Sequence, residues 1–272
     1  MNNNKPIGIF DSGIGGLTVV KRFAANLPNE NIIYFGDTAR VPYGSKSNST
    51  VIEYSVQNTN FLLNRNVKVI VVACNTASSV AISALKEKFD VPVIGMIEPG
   101  AEMAVRKTKN NKIGVIGTRS TIGNKAYSKE IKKINATIEV YEKACPLFVP
   151  LAEEGWTDHQ ATIEIAEDYL SEFRKLNIDT LVLGCTHYPI LSNVIHKVMG
   201  ENVALIDSGI ASAEIVKKEL KNINFENNSS ENGMSEFYVS DIPTTFKSVA
   251  ELFLGRQISD VHKVDLDTFW HS

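Results

Sequence analysis

The chain has 272 residues, of which 43% are hydrophobic and 22% are charged. This ordinary globular composition excludes global disorder and fibrous repeats, and the length suits about two domains. Lysine and arginine number 28 against 31 acidic residues, a near balance that argues against an extended nucleic-acid-binding surface.

Short β-branched runs alternate with longer amphipathic segments along the chain. The predicted strands cover residues 6–10, 31–35, 68–73, 91–94, 112–116, 137–141, 179–183 and 203–206. The predicted helices include residues 47–65, 76–89, 158–176 and 210–220. Several strands are almost wholly apolar, as strands buried on both faces are. The alternation therefore predicts an α/β protein with mainly parallel sheets. The polar segment 222–236 predicts a surface loop before a last strand–helix unit at 237–254.

The cysteine content and the hydropathy bear on the compartment. No apolar run approaches the roughly 18 residues that a membrane span needs, and the first residues lack a secretory signal. The three cysteines, Cys74, Cys145 and Cys185, are odd in number and too sparse for a disulfide framework. We therefore expect a cytoplasmic protein with free thiols that does not associate with membranes.

Two segments of the sequence resemble each other. Residues 69–76, VIVVACNT, are echoed 111 residues later by residues 180–187, TLVLGCTH. Each reads as a buried strand, a small residue, a cysteine and then polar side chains. The spacing is too long for a solenoid repeat, so it predicts two similar α/β halves. Each half would place one cysteine at the carboxyl end of a strand, where open α/β sheets bind ligands.

Cys74 and Cys185 are candidates for acid–base chemistry. A thiol has a reference pKa of about 8.5, and the field of a helix N-terminus favours its thiolate. The alternative is that each is a small buried hydrophobe, as free cysteines often are. No C-x-x-C pair supports a zinc site or a disulfide oxidoreductase. Two opposed thiols suit removal of a proton from one face of a carbon atom and return to the other. Cys145 lacks polar neighbours and is predicted to pack in the core.

Polar residues next to these strand ends complete the candidate site. Asp11 ends the first strand and could relay a proton or, equally, cap a helix. His187, two residues after Cys185, could tune or reprotonate that thiol. Tyr43 could line a pocket. Four further side chains could hydrogen-bond a substrate carboxylate or serve as helix caps: Ser12, Asn75, Thr76 and Thr186. The glycine-rich segment 11–16 lacks the spacing of a nucleotide-binding loop.

Taken together, these motifs resemble those of the glutamate racemases in the aspartate/glutamate racemase family. The matching segments, in chain order, are DSGIGGLTV at 11–19, GDTAR at 36–40, PYG at 42–44, ACNTA at 73–77, IEPGA at 97–101, VPL at 149–151 with Glu153, and GCTHYP at 184–189. The resemblance runs from residue 6 to about residue 210 and covers most of the chain.

The resemblance implies a cofactor-independent enzyme, without a metal, that interconverts L-glutamate and D-glutamate and supplies D-glutamate for peptidoglycan synthesis. It implies that Cys74 takes the α-proton from D-glutamate and Cys185 takes it from L-glutamate. Three supporting acid–base residues are implied: Asp11, Glu153 and His187. The implied substrate-binding residues are Asp11, Ser12, Tyr43, Gly44, Asn75, Thr76, Thr186 and His187.

The resemblance also implies two pseudo-symmetric α/β domains with the active site in the cleft between them. The first domain would comprise residues 1–97 plus 208–272, and the second, inserted domain residues 98–207. Many relatives are dimers, so we expect a homodimer.

Two alternatives to a glutamate racemase stay open. An aspartate racemase usually has Glu after the second Cys-Thr, where this chain has His187. A non-catalytic amino-acid-binding module would leave the matched thiols without a role.

Overall fold

A computed structural model describes residues 4–258 and 260–266 of the chain. The strands in these ranges are β1 (Ile7–Asp11), β2 (Ile32–Gly36), β3 (Val69–Val72), β4 (Val93–Ile94), β5 (Lys112–Gly117), β6 (Glu139–Ala144), β7 (Thr180–Gly184), β8 (Ala204–Asp207), β9 (Ser235–Val239) and β10 (Val261–Lys263). They form two sheets, with strand orders β10-β9-β2-β1-β3-β4 and β6-β5-β7-β8. Every pairing between these strands is parallel. The predicted α/β class with mainly parallel sheets is therefore confirmed.

Helices connect the strands and cover the sheets. They are α1 (Leu17–Asn26), α2 (Asn48–Leu63), α3 (Asn75–Ser78), α4 (Ile82–Lys88), α5 (Ile97–Lys107), α6 (Arg119–Gly123), α7 (Ala126–Ile134), α8 (Phe148–Glu153), α9 (Gln160–Leu176), α10 (Ser192–Met199), α11 (Ser208–Asn222) and α12 (Phe246–Leu254). None of the helices in the described ranges is long and apolar enough to cross a membrane.

Most predicted elements differ from the structure by one to three residues at one or both ends, and two of the differences have a visible cause. The helix predicted at 76–89 is divided into α3 and α4, because the Ser79 hydroxyl donates to the Thr76 carbonyl at 2.7 Å and competes with helix continuation. The strand predicted at 137–141 begins two residues later, at Glu139. Its first residues form a turn in which the Asn135 side chain accepts hydrogen bonds from both the backbone and the hydroxyl of Thr137.

The chain leaves the first sheet and later returns to it. After β8, the chain passes through α11 and adds β9 beside β2, and β10 then pairs with β9. The strands before β5 and after β8 thus share one sheet, and β5 to β8 form the other. This arrangement supports the division into residues 1–97 plus 208–272 and residues 98–207, which we retain as a proposal.

A buried ion pair fastens the loop that the sequence predicts at 222–236. Lys68 Nζ lies 2.5 Å from Glu30 Oε2 and donates to the Phe225 carbonyl at 2.8 Å. The other Glu30 oxygen accepts from the Asn227 backbone at 2.8 Å. The loop is therefore held against the amino-terminal end of the first sheet through two buried charges.

Replacing Lys68 with methionine is expected to lower the free energy of unfolding by about 3–5 kcal/mol, because Glu30 is left as a buried charge without its cation. Urea denaturation followed by circular dichroism measures this loss. The matched control is Lys133→Met, because Lys133 forms its ion pair with Glu130 on the surface and its loss should leave the midpoint unchanged. Equal midpoints for the two variants would contradict the assigned role of the buried pair.

Candidate active site

A cavity of about 280 Å³ lies between the two sheets. It adjoins the carboxyl ends of β1 and β3 from the first sheet and of β5 and β7 from the second. Its lining residues are Ser12, Gly13, Val41, Pro42, Tyr43, Gly44, Ser45, Cys74, Asn75, Thr76, Thr118, Arg119, Pro146, Val149, Pro150, Glu153, Cys185, Thr186 and His187. A larger cleft of about 730 Å³ is lined largely by α4, α5 and α7, with no thiol or imidazole among its lining residues. The smaller cavity therefore holds the groups suited to acid–base chemistry.

Cys74 lies two residues after the end of β3 and directly precedes the first residue of α3. The side chain is buried, with 6% of the residue exposed. Burial, together with the nearby charge of Asp11, raises the pKa of the Cys74 thiol to about 12, although hydrogen bonds from the Ala77 backbone and the Ser12 side chain oppose this shift. Cys74 therefore holds its proton at neutral pH.

Cys185 follows β7 in the corresponding position and belongs to a chain of three side chains. Its Sγ lies 3.8 Å from His187 Nδ1, and His187 Nε2 lies 2.8 Å from Glu153 Oε1. Burial acts to lower the pKa of His187, but the hydrogen bonds to Cys185 and Glu153 outweigh it and raise the pKa to about 10. The imidazole is therefore protonated at neutral pH and places a positive charge beside the Cys185 sulfur.

Asp11 lies behind the cavity wall and is fully buried. Its Oδ2 accepts hydrogen bonds from the backbone N–H groups of Gly13 and Gly16, both at 3.0 Å. Burial raises the pKa of this carboxyl above its usual range, and the positive charge of His187 and the backbone hydrogen bonds oppose the shift only in part. The structure thus places Asp11 in the electrostatic surroundings of Cys74 and His187 but not on the cavity surface.

Asn75 and Thr76 present polar atoms to the same cavity. The Asn75 Oδ1 accepts from the Tyr127 hydroxyl at 2.7 Å, so the amide N–H groups of Asn75 can donate to a ligand. The Thr76 hydroxyl lies 2.9 Å from that of Thr118 and 3.3 Å from that of Thr121. Because Thr118 and Thr121 belong to the second sheet's side of the cavity, this hydroxyl cluster joins the two walls.

Tyr43 and Gly44 form another part of the wall. The Tyr43 hydroxyl donates to the Asp37 carboxylate and accepts from Asn58 Nδ2 at 3.1 Å. The hydroxyl is therefore engaged inside the first sheet's side of the cavity, away from a ligand. A Cβ added at Gly44 would lie 3.1 Å from Thr118 Cβ, so glycine allows the two walls to approach closely here.

All of the sequence-predicted site residues except Asp11 line this one cavity, and Cys145 lies apart from it in the core. Sequence reasoning did not assign roles to Thr118 and Arg119. Both follow β5 directly, so the rule that ligands bind beyond strand ends could have identified them. Reasoning from the sequence also gave no role to Phe253, whose ring packs against His187 at a centroid distance of 5.4 Å. No local sequence signal marks that contact, because it joins segments far apart in the chain.

Comparison with known proteins defines the class. The sequence profile described as Asp/Glu/Hydantoin racemase matches residues 17–216. The chain therefore belongs to the Asp/Glu/hydantoin racemase family. A protein named glutamate racemase from Geobacter metallireducens is 52% identical over 263 residues, which cover 97% of each chain. Another, from Chlorobaculum tepidum, is 50% identical over 98% of each chain. Within the family, the chain thus belongs with the glutamate racemases.

The fold agrees with that assignment. The crystal structure of glutamate racemase from Francisella tularensis subsp. tularensis SCHU S4, in complex with D-glutamate, has a TM-score of 0.91 and 43% sequence identity. The match covers 98% of this chain and 99% of that chain.

Glutamate racemases are cofactor-independent isomerases. Within the ranges 4–258 and 260–266, no three His, Cys, Asp or Glu side chains are grouped as they would be to hold a metal ion.

Proposed function

We propose that the protein interconverts L-glutamate and D-glutamate by two-base proton transfer between Cys74 and Cys185, without a cofactor. The observation that carries this proposal is the placement of the two thiols. Each follows the corresponding strand of its own sheet, β3 or β7, and both line one cavity. A carbon atom bound between two such groups can lose a proton to one and gain a proton from the other.

In this mechanism, Cys185 removes the α-proton of L-glutamate as a thiolate. The electron pair of the broken C–H bond moves into the adjacent carboxylate, and the opposite face of the carbon then takes the proton of the Cys74 thiol. This direction needs Cys185 as thiolate and Cys74 as thiol. The high pKa of Cys74 keeps that thiol protonated for its part in this step, and His187 lies 3.8 Å from the Cys185 sulfur, where an imidazolium can stabilise a thiolate.

The reverse direction requires Cys74 to lose its proton before it removes the α-proton of D-glutamate. An ionised Asp11 opposes this loss, because its negative charge raises the pKa of Cys74. The raised pKa of the Asp11 carboxyl lets it take up a proton, which removes that charge and so favours the thiolate at Cys74. On the other face, His187 returns a proton to Cys185, and Glu153 stabilises the imidazolium through its 2.8 Å hydrogen bond.

Hydrogen-bond donors around the cavity account for recognition of a dicarboxylate. The candidate donors are the Asn75 amide and the hydroxyls of Ser12, Thr76 and Thr186, all of which line the cavity. Tyr43 and Gly44 contribute wall surface and backbone. The Thr186 carbonyl accepts from Thr18 Oγ1 at 2.8 Å, which fixes this part of the second wall against α1.

We further propose that the D-glutamate product supplies peptidoglycan synthesis in the cytoplasm and that the protein acts as a homodimer. These proposals rest on the resemblance to glutamate racemases. The near balance of acidic and basic residues favours neither a membrane surface nor nucleic acid as a partner. Light scattering of the purified protein tests the dimer.

One experiment tests the proposed reaction. The purified, reduced protein is incubated separately with L-glutamate and D-glutamate in heavy water, with no added cofactor. Optical rotation should decay to zero from the positive value of one enantiomer and from the negative value of the other. Each product should carry one deuterium at Cα. L-Aspartate and D-aspartate serve as matched substrates and should turn over far more slowly. Failure to racemise either glutamate enantiomer would refute the proposal, whereas faster turnover of aspartate would favour an aspartate racemase.

Replacing Glu153 with glutamine should move the decline of kcat at high pH, which we call the high-pH limb, to lower pH. In the wild type, we expect kcat for L-glutamate to fall as pH rises through about 10, because His187 then loses its proton. Removing the carboxylate partner of the imidazolium lowers the pKa of His187, so the fall in kcat should begin at lower pH in the variant. Rates measured from pH 6 to about 10.5 check the sign. An unchanged profile would show that Glu153 does not support His187.

A further inference from the structure

The contact between His187 and α12 joins the active site to the carboxyl-terminal part of the chain. Phe253 is fully buried on this helix. Its ring centroid lies 5.4 Å from that of His187, and the two ring planes are inclined at 83°. This is an edge-to-face arrangement, which aromatic rings favour over face-to-face stacking.

The other sides of the imidazole are also occupied. Its two nitrogens face Cys185 and Glu153. Gly15 lies so close that a Cβ there would fall within 3.0 Å of the His187 ring. The imidazole can rotate about its Cβ–Cγ bond, and the 3.8 Å contact with Cys185 and the 2.8 Å hydrogen bond to Glu153 hold it at its two nitrogens only. Phe253 and the backbone of Gly15 pack against the ring itself and restrict this rotation further.

We propose that Phe253 is a positioning residue, which holds the His187 ring so that Nδ1 faces Cys185 while Nε2 keeps its hydrogen bond to Glu153. The proposal rests on the proposed function, in which His187 supports the chemistry at Cys185. Phe253 itself does not line the cavity. It therefore acts through His187.

The charge of His187 gives this contact a second consequence. The groups that face the imidazole are Cys185 after β7, Glu153 at the end of α8 and Asp11 at the end of β1. Each of them favours the imidazolium when it is ionised. The hydrogen bonds to Cys185 and Glu153 raise the pKa of His187 against the effect of burial, and both depend on the orientation of the ring. Loss of the Phe253 ring should therefore lower the pKa of His187, because a loosened imidazole makes these two contacts less well.

The contact between Phe253 and His187 links the two halves of the fold. His187 follows β7 of the second sheet, whereas α12 follows β9 of the first sheet. The carboxyl-terminal segment carries no motif of its own in the sequence. Its contribution to the site is thus a packing contact across the boundary between the sheets.

The variant Phe253→Leu tests the proposal, because it removes the aromatic ring and keeps much of the buried volume. Phe246→Leu is the matched control: Phe246 is buried on the same helix, and it is not stacked on His187. We expect kcat of Phe253→Leu to fall about tenfold while KM changes by less than about twofold, because orientation is lost and substrate contacts stay. The high-pH limb of kcat should begin at lower pH. Phe246→Leu should retain the wild-type profile.

Nuclear magnetic resonance titration of the His187 ring provides a readout that does not depend on turnover. The pKa of His187 should decrease in Phe253→Leu and stay unchanged in Phe246→Leu. An unchanged pKa in Phe253→Leu, or an equal decrease in both variants, would overturn the proposal. This titration also separates failure of the positioning role from failure of the proposed racemisation. If Phe253→Leu does not fold, as judged by thermal unfolding, Phe253→Met replaces it with the same expected results.

Discussion

Replacing either Cys74 or Cys185 with serine is expected to reduce kcat by at least about 10³-fold with both glutamate enantiomers, because each thiol acts as the acid or the base in every turnover. A serine hydroxyl is a far weaker acid than a thiol, so it neither forms the base on one face nor gives up a proton readily on the other. Polarimetry with each enantiomer measures the loss. Both cysteines are buried, so thermal unfolding must confirm that each variant is folded.

Cys145→Ser is the matched control for both substitutions. Cys145 is fully buried and lies outside the cavity lining, and its thiol contacts the Lys143 carbonyl at 3.7 Å. Burial raises the pKa of this thiol well above its usual range, so it stays protonated and takes no part in proton transfer. We expect its kcat to stay within about twofold of the wild type. A loss as large as that of Cys74→Ser would show that the roles of the cysteines are wrongly assigned.

Rates of racemisation from L-glutamate and from D-glutamate do not by themselves distinguish Cys74→Ser from Cys185→Ser. Enantiomers have equal free energy in water, so kcat/KM must be equal for L-glutamate and D-glutamate in any variant. The face that each thiol serves is instead revealed by isotope exchange without racemisation. In heavy water, Cys74→Ser should exchange the α-proton of L-glutamate faster than that of D-glutamate, because Cys185 remains. Cys185→Ser should show the opposite preference.

The strand-end residues of this site were predictable from the sequence because their signal is local. Asp11, Cys74 and Cys185 each end or follow a run of buried β residues, and parallel strands bring such ends to one edge of a sheet. The similarity between residues 69–76 and 180–187 predicted two facing halves. The order of strands within each sheet was not predictable in this way, because β9 and β10 pair in the first sheet although the four strands of the second sheet come before them in the sequence.

Contacts between side chains distant in the sequence were beyond local reasoning. The Tyr127 hydroxyl orients Asn75 and also lies 2.7 Å from the Ser208 hydroxyl, which joins three separate segments. Tyr43 was predicted to line a pocket, and it does, but only the structure shows that its hydroxyl is directed to Asp37. Local motifs thus identified the residue types at the site, whereas packing decides which of their atoms remain available to a ligand.

Gly15→Ala should reduce kcat by about 10²-fold, because a small displacement of a catalytic group is enough to cause a loss of that size. The added Cβ would lie within 3.0 Å of both His187 and Thr186 side-chain atoms. His187 cannot easily move aside, because it is held by Glu153 and by the ring of Phe253. Gly15 is not among the residues with positive φ, so the backbone itself accepts alanine and the effect isolates the displacement.

Gly123→Ala is the control for this substitution, since a Cβ at Gly123 has no atom within 4 Å and its φ is also not positive. It should retain wild-type kcat and a wild-type high-pH limb. Gly15→Ala should lose turnover and also move that limb to lower pH, because a displaced imidazole loses part of its hydrogen bonding to Cys185 and Glu153. Kinetic measurements across the pH range, with thermal unfolding of both variants, separate the two effects. Wild-type turnover by Gly15→Ala would mean that His187 is free to shift without cost, and its close packing would then have no part in catalysis.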